Sequence, residues 1–169
     1  SKCYAFIRWN GVFSRCVELI CGVRQGGVLS PLLFNIYVDQ IIAKLRSLNL
    51  GCHMYNIFVG CFMYADDLLL LAASVSVLQA MINVCADEIA YLDMRFNVSK
   101  SSVIRIGRLF RRECSQLHVH SQTLEFAHFI KYLGIYIKSG CHFMVDIGMH
   151  KAKLYTALNG ILHKCKGGM

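Results

Sequence analysis

Two aspartates carry the strongest chemical signal in the chain. Asp66 and Asp67 stand side by side in Tyr64-Ala65-Asp66-Asp67, between the apolar runs 57–64 and 68–72. Like charges about 4 Å apart repel by roughly 1–4 kcal/mol at dielectrics between those of water and a protein surface. Structure alone gains nothing from that placement. A divalent cation removes the repulsion and turns the pair into a site. Ligands that are all oxygen select hard cations, here Mg²⁺ or Mn²⁺. Mg²⁺ keeps several waters and uses one or two carboxylates plus substrate phosphates, so two aspartates suffice only where a phosphate joins them. The pair alone also fits a solvated turn whose carboxylates cap backbone N–H groups. Cys114, His118 and His120 form a second cluster of ligand type. On a strand the two histidines share a face, but no fourth ligand stands near them, which weighs against zinc.

Elements that could position the aspartates follow from pattern. Residues 3–8 and 16–20 flank Asn10-Gly11, a hairpin signal. A glycine-rich loop follows at 22–27. Ser30-Pro31 reads as a helix start, with Ser as N-cap and Pro at the first helical position. Leu33, Phe34, Tyr37, Val38, Ile41 and Leu45 continue as a helical stripe to about Ser47. The runs 57–64 and 68–72 read as a buried hairpin with the carboxylates at its tip. A second helix is predicted over 76–94, with Ser76 and Gln79 as a capping box and Leu78, Met81, Ile82, Cys85, Ile89 and Leu92 facing inward. Strands are predicted at 103–106, 117–119, 123–126 and 131–137. A last amphipathic helix is predicted over 144–165, using Val145, Leu154, Leu158, Ile161 and Leu162. This order fits an α+β domain.

Composition narrows the class. The chain has 169 residues, 56% hydrophobic and 17% charged, with one Pro and 13 Gly. That excludes a disordered tail or a fibre. The mean hydropathy of +0.46 raises the question of a membrane span. The most apolar stretch, 57–78, holds both aspartates at its middle, where each would cost about 2.5–3.5 kcal/mol in a bilayer. No uninterrupted run reaches the roughly 20 residues a spanning helix needs, so no membrane association is expected. Nine cysteines, an odd number without a CxxC pair, suit reduced and mostly buried thiols in an intracellular protein. Charge is lopsided. Residues 1–94 hold six basic and seven acidic side chains, whereas 95–169 hold twelve and three. The excess, at Lys100, Arg105, Arg108, Arg111, Arg112, Lys151, Lys153, Lys164 and Lys166, suits a polyanion partner or an ordinary solvated surface. The chain opens Ser1-Lys2-Cys3-Tyr4 with neither an initiator Met nor a signal peptide, so it is expected to be a piece of a longer polypeptide.

Four segments together carry a resemblance. They are Gly22-Val23-Arg24-Gln25-Gly26-Gly27-Val28-Leu29-Ser30-Pro31-Leu32-Leu33-Phe34, Phe62-Met63-Tyr64-Ala65-Asp66-Asp67-Leu68, Arg95-Phe96-Asn97-Val98-Ser99-Lys100-Ser101 and Lys131-Tyr132-Leu133-Gly134-Ile135. In this order and spacing the chain closely resembles the reverse transcriptases of non-LTR (LINE-type) retrotransposons, from mid-palm to the start of the thumb. The resemblance implies a partial polymerase palm over 1–138, an antiparallel sheet with helices on one face. A basic thumb helix would begin within 139–169. It implies an RNA-directed DNA polymerase using RNA template, DNA primer and dNTP, with Mg²⁺ or Mn²⁺ on Asp66 and Asp67. Asp66 would be the more direct ligand. Two such metals stabilise the attacking 3′-hydroxyl and the leaving pyrophosphate.

The same resemblance assigns other residues. Arg24, Gln25, Gly26 and Gly27 would meet nucleotide and template, although a plain helix-entry loop fits them too. Lys100 would neutralise or protonate pyrophosphate; a surface lysine is its bland alternative. Tyr132, Leu133 and Gly134 would form the primer grip, or an ordinary buried strand. Lys151, Lys153 and Lys164 would contact the nucleic-acid backbone. A nuclear site of action is implied, with the cytoplasm as the alternative.

The pattern also has gaps. The family's upstream catalytic aspartate has no counterpart, because residues 1–21 contain no Asp and Asp39 does not match. The chain is therefore expected to depend on a missing upstream part of the same polypeptide and to be inactive alone. Two alternatives remain at this point: a group II intron-type reverse transcriptase or maturase, and a non-catalytic nucleic-acid-binding relic.

Overall fold

The structure is a computed structural model that describes residues 3–19 and 26–166. Among the described residues three α-helices, α1 (Ser30–Ser47), α2 (Val75–Tyr91) and α3 (Gly148–Lys166), alternate with short strands, so the class is mixed α+β. Two compact units divide inside α1, after Gln40.

The first unit holds two ribbons. β1 (Cys3–Ala5) pairs with β4 (Val17–Leu19), and β2 (Arg8–Trp9) pairs with β3 (Val12–Phe13) across Asn10-Gly11. Both turn residues have positive φ, 46° and 79°, as a type I′ turn requires.

The second unit begins where α1 buries Ile41 and Leu45. β5 (His53–Met54) and β6 (Ile57–Phe58) form a small hairpin. β7 (Cys61–Tyr64) and β8 (Asp67–Leu70) form the next. After α2 come β9 (Ser102–Val103), β10 (Leu117–Val119) and β11 (Gln122–Phe126), in the order β10-β11-β9, with β9 and β11 parallel. β12 (Phe129–Tyr132), β13 (Ile135–Lys138) and β14 (Met144–Asp146) make an antiparallel trio. The single antiparallel sheet expected from the sequence is thus divided into small sheets, one of them with a parallel pair.

The core lies under α2. Met81, Ile82, Cys85, Ala86 and Ile89 are buried along its inner stripe. Ile82 and Ala86 pack with Leu117, Val119 and Leu124 of β10 and β11, and Leu70 of β8 joins from the side. Burial of such side chains is worth about 1.5–3 kcal/mol each relative to exposure. Burial also pushes the thiols of Cys61 and Cys85 up, to about 11 and about 12; at Cys85 the charges of Cys61 and Glu88 add to the effect. Cys16 and Cys141 are exposed and Cys52 and Cys114 half-buried, so the cysteines are less buried than the sequence suggests. No helix among the described residues is long and apolar enough to cross a membrane.

Several sequence expectations change. Ser74, not Ser76, caps α2, its hydroxyl accepting from the Val77 N–H at 3.3 Å. Gln79 has other work. Its Nε2 donates to the His118 carbonyl at 2.8 Å, and its Oε1 accepts from the His118 N–H at 2.8 Å. A side-chain amide carries the same donor and acceptor as a peptide, so Gln79 supplies the edge of β10 with a neighbour. The run 131–137 is a hairpin rather than one strand, broken at Leu133-Gly134. Residues 144–146 form β14, and the last helix starts only at Gly148, whose N–H donates to Asp146 Oδ1 at 2.8 Å. Arg105 leaves the expected basic face. Its guanidinium lies 5.2 Å from the Phe126 ring and donates to Cys114 Sγ at 3.3 Å and to the Arg112 carbonyl.

Candidate active site

The aspartates sit where the sequence places them, at the tip of the β7–β8 hairpin. Tyr64 pairs with Asp67, leaving Ala65-Asp66 as a two-residue turn. Ala65 has φ 51°. An alanine there costs roughly 1–2 kcal/mol, the penalty for Cβ against its own carbonyl, so the rest of the hairpin must hold the turn. Alternation gives the hairpin two faces. Cys61, Met63, Leu68 and Leu70 share the inner one, and Phe62, Tyr64, Asp67 and Leu69 the outer. The hairpin is half-buried rather than buried: Tyr64, Asp66 and Asp67 are exposed. Among the described residues, no hydrogen bond or ion pair engages either carboxylate.

The base of this hairpin is held by a close backbone crossing. A Cβ at Gly60 would come within 2.8 Å of the Gly51 Cα and 3.0 Å of the Cys52 nitrogen. Cys52 N–H donates to the Leu71 carbonyl at 3.0 Å, and Leu71 N–H to the Gly60 carbonyl at 2.7 Å. Only glycine permits that approach, and Gly51 also has φ 113°. Sequence reasoning passed over this pair. The available signal was a glycine inside the apolar run 57–64, at Gly60, where a strand pattern marks a close backbone approach.

The second candidate element is the β12–β13 hairpin. Tyr132 is half-buried at the end of β12. Its phenol pKa is raised, first by burial and then by the nearby charges of Asp67 and Cys61. Tyr132, Leu133 and Gly134 form the β12–β13 turn, with φ of 48° at Leu133 and 81° at Gly134, again the type I′ pattern. Ring Nε2 of His150, in the first turn of α3, donates to the Gly134 carbonyl at 2.7 Å. Lys138 and Asp146 form an ion pair at 2.7 Å beside it. Lys138 and the Gly148 N–H hold the Asp146 carboxyl below its usual range. His150 and Asp146 were not singled out by sequence, because nothing local marks either.

Other candidates are placed less tightly. Gly26 and Gly27 lie just before α1, in the first unit, and Gly26 has φ 79°. Arg24 and Gln25 lie outside the described residues. Lys100 ends a short 3-10 turn, Val98–Lys100, and is exposed. Lys151 and Lys153 are exposed on α3, but two positions apart on a helix they point to different sides. Lys164 belongs to α3, and its side chain lies outside the described residues. Among the described residues, no three His, Cys, Asp or Glu side chains gather as a metal site. Cys114 and the two histidines are separated in role: Cys114 meets Arg105, His118 bonds Thr123, and His120 is a turn residue with φ 51°. Asp66 and Asp67 fit a hard cation as a partial donor set, two carboxylates at an exposed tip with no partner among the described residues.

Comparisons with known proteins bear on residues 1–137 above all. The sequence model of the family described as reverse transcriptase (RNA-dependent DNA polymerase) matches residues 1–137. The Retrovirus-related Pol polyprotein from type-2 retrotransposable element R2DM of Drosophila melanogaster is 29% identical over 148 residues, which cover 80% of this chain and 14% of that protein. The corresponding polyprotein from type-1 retrotransposable element R2 of Nasonia vitripennis is 45% identical over 62 residues, 37% of this chain and 6% of the relative. The chain therefore spans a small fraction of the relatives it matches.

Proposed function

The chain belongs to the reverse transcriptase family, and from that premise we propose that it is the mid-palm and first thumb segment of a retrotransposon RNA-directed DNA polymerase. The palm part is 1–138 and the thumb part 139–169. One observation carries the reading: two exposed carboxylates stand at a strained hairpin tip and, among the described residues, no hydrogen bond or ion pair engages them. The R2 relatives support a retrotransposon over a group II intron origin.

Asp66 and Asp67 would hold Mg²⁺ or Mn²⁺, which when bound stabilises the attacking 3′-oxygen and the leaving pyrophosphate. Lys100 offers a proton or a positive charge to the pyrophosphate. Arg24, Gln25, Gly26 and Gly27 meet the incoming dNTP and the RNA template. Tyr132, Leu133 and Gly134 seat the primer end. Lys151, Lys153 and Lys164 contact phosphates. The third carboxylate of the site comes from an upstream part of the same polypeptide, so the isolated chain does not extend primers.

The test is a chimera in which residues 1–137 replace the matching stretch of the Drosophila relative. RNA-templated primer extension in Mg²⁺ is expected, abolished by Asp66→Asn. Full activity in that variant would overturn the assignment. Should the chimera be silent, NMR of the isolated chain reads the same site. With dNTP present to supply the phosphates, Mn²⁺ should broaden the amides of 64–67, and Asp66→Asn with Asp67→Asn should remove the effect. Absence of broadening in the unsubstituted chain would sink the metal role.

A further inference from the structure

The β12–β13 turn carries a carbonyl that its own hairpin does not use. Tyr132 pairs with Ile135, so Leu133-Gly134 is a two-residue loop beyond the last rung of the ladder. A carbonyl in such a loop is otherwise left to water. Here the Gly134 carbonyl accepts from His150 Nε2 at 2.7 Å, a bond that spans 16 positions. The turn also lacks support of its own. Leu133 has φ 48° and is 48% exposed, so burial of the leucine does not offset the roughly 1–2 kcal/mol cost of that backbone.

The helix at the other end of the bond needs the contact as well. Leu154, Leu158, Ile161 and Leu162 of α3 are exposed, so apolar burial does not fix its direction. Its first turn is held on two sides instead. Gly148 N–H donates to Asp146 Oδ1 at 2.8 Å, and Asp146 pairs with Lys138 of β13 at 2.7 Å. His150 lies about 200° further round the helix, two residues on at about 100° each, and reaches back to the hairpin tip. The cap fixes where α3 begins. The imidazole fixes how it is rolled and tilted against the hairpin. A lysine could donate there too, but would lose more rotamer freedom.

We propose that His150 is a positioning residue for primer use. By holding the Gly134 carbonyl it makes the β12–β13 turn and the start of α3 move as one piece, so that a primer end seated by the turn is aligned with the duplex beside the helix. The primer role rests on the reading that Tyr132, Leu133 and Gly134 seat the primer; the tether itself does not. His150 takes no part in the chemistry at Asp66 and Asp67. The first test uses the 169-residue chain. Residual dipolar couplings of the amides report the angle between α3 and the β12–β13 hairpin, and ring nitrogen shifts report a proton on His150 Nε2. His150→Ala and His150→Phe should change that angle, the phenylalanine keeping the bulk of a ring without its donor. His150→Gln places an amide N–H near the same point and should restore the angle. Unchanged couplings in both His150→Ala and His150→Phe would overturn the tether.

The second test is a chimera carrying all 169 residues in the Drosophila relative. His150→Ala and His150→Phe should raise KM for an RNA–DNA primer–template about threefold to tenfold, the worth of one hydrogen bond, with kcat within about twofold. His150→Gln should stay near the unsubstituted values. An unchanged KM, a loss confined to kcat, or a loss that His150→Gln shares would overturn the positioning role. Should the chimera be silent, the dissociation constant of the same primer–template, read by anisotropy, takes the place of KM. Asp66→Asn tests the polymerase reading separately and should abolish extension whatever residue stands at 150. Full activity in that variant would overturn that reading and the primer role with it, while the dipolar couplings still decide the tether. His150 is exposed, so its variants should keep the fold; circular dichroism checks that.

Discussion

α2 and α3 look alike as sequence and differ as structure. Each carries apolar residues at helical spacing. α2 buries Met81 and Cys85 completely, whereas in α3 Leu154, Leu158, Ile161 and Leu162 are 46–67% exposed. Spacing decides which side of a helix is apolar; it does not decide whether anything covers that side. α2 is covered because β10 and β11 return beneath it, and because Gln79 completes the β10 edge. Among the described residues, the hydrogen bonds that hold α3 to the rest of the chain lie at its start, through His150 to Gly134 and through the Asp146 cap. The candidate catalytic hairpin leans on the first kind of helix, and the candidate thumb consists of the second.

The contrast can be broken or sharpened by substitution. The largest effect is expected at Met81, fully buried under the Gly51–Gly60 crossing. Met81→Ala should cost about 2–5 kcal/mol in urea unfolding. A loss below about 1 kcal/mol would mean that α2 is no better packed than α3. Next comes Gln79→Ala, which removes both bonds to the His118 backbone and should cost about 1–2 kcal/mol. Hydrogen exchange at His118 should rise with it, and unchanged protection would show that β10 needs no side-chain neighbour.

Smaller is the pH response at Asp146. Its folded pKa is lowered by Lys138 and the Gly148 N–H, so its contribution is present above the unfolded value, about 4. It is lost as pH falls through the lower folded value. The Gly148 amide resonance should follow that titration, and Asp146→Asn should abolish it. A Gly148 shift that persists in the variant would refute the cap. Smallest is Leu158→Ala on the open face of α3, which should stay within about 0.5 kcal/mol. A larger loss would reveal cover on α3.

What local pattern could reach, it reached. Asn10-Gly11 announced its turn, and the stripe Leu33, Phe34, Tyr37, Val38, Ile41 and Leu45 announced α1 and its end at Ser47, although only its second half is buried and Leu33 and Tyr37 are exposed. Asp66 and Asp67 stood out because no structural need explains two adjacent charges between apolar strands. These features depend on residues within a few positions of one another, and the chain's own periodicity records them. The positive φ at Ala65, the turn at Leu133-Gly134 and the inward Arg105 carried no such mark, since each depends on what the neighbouring strands impose.

The same holds for Gln79. Three residues after Ser76 it spells a capping box, yet its amide finds a backbone 39 positions away. By itself the sequence determined the family, the helical spacing of apolar residues and the carboxylate pair. Tertiary structure alone decided which face was covered and which glycines let two backbones cross. Periodicity encodes direction, whereas contact between distant residues depends on the closure of the whole chain.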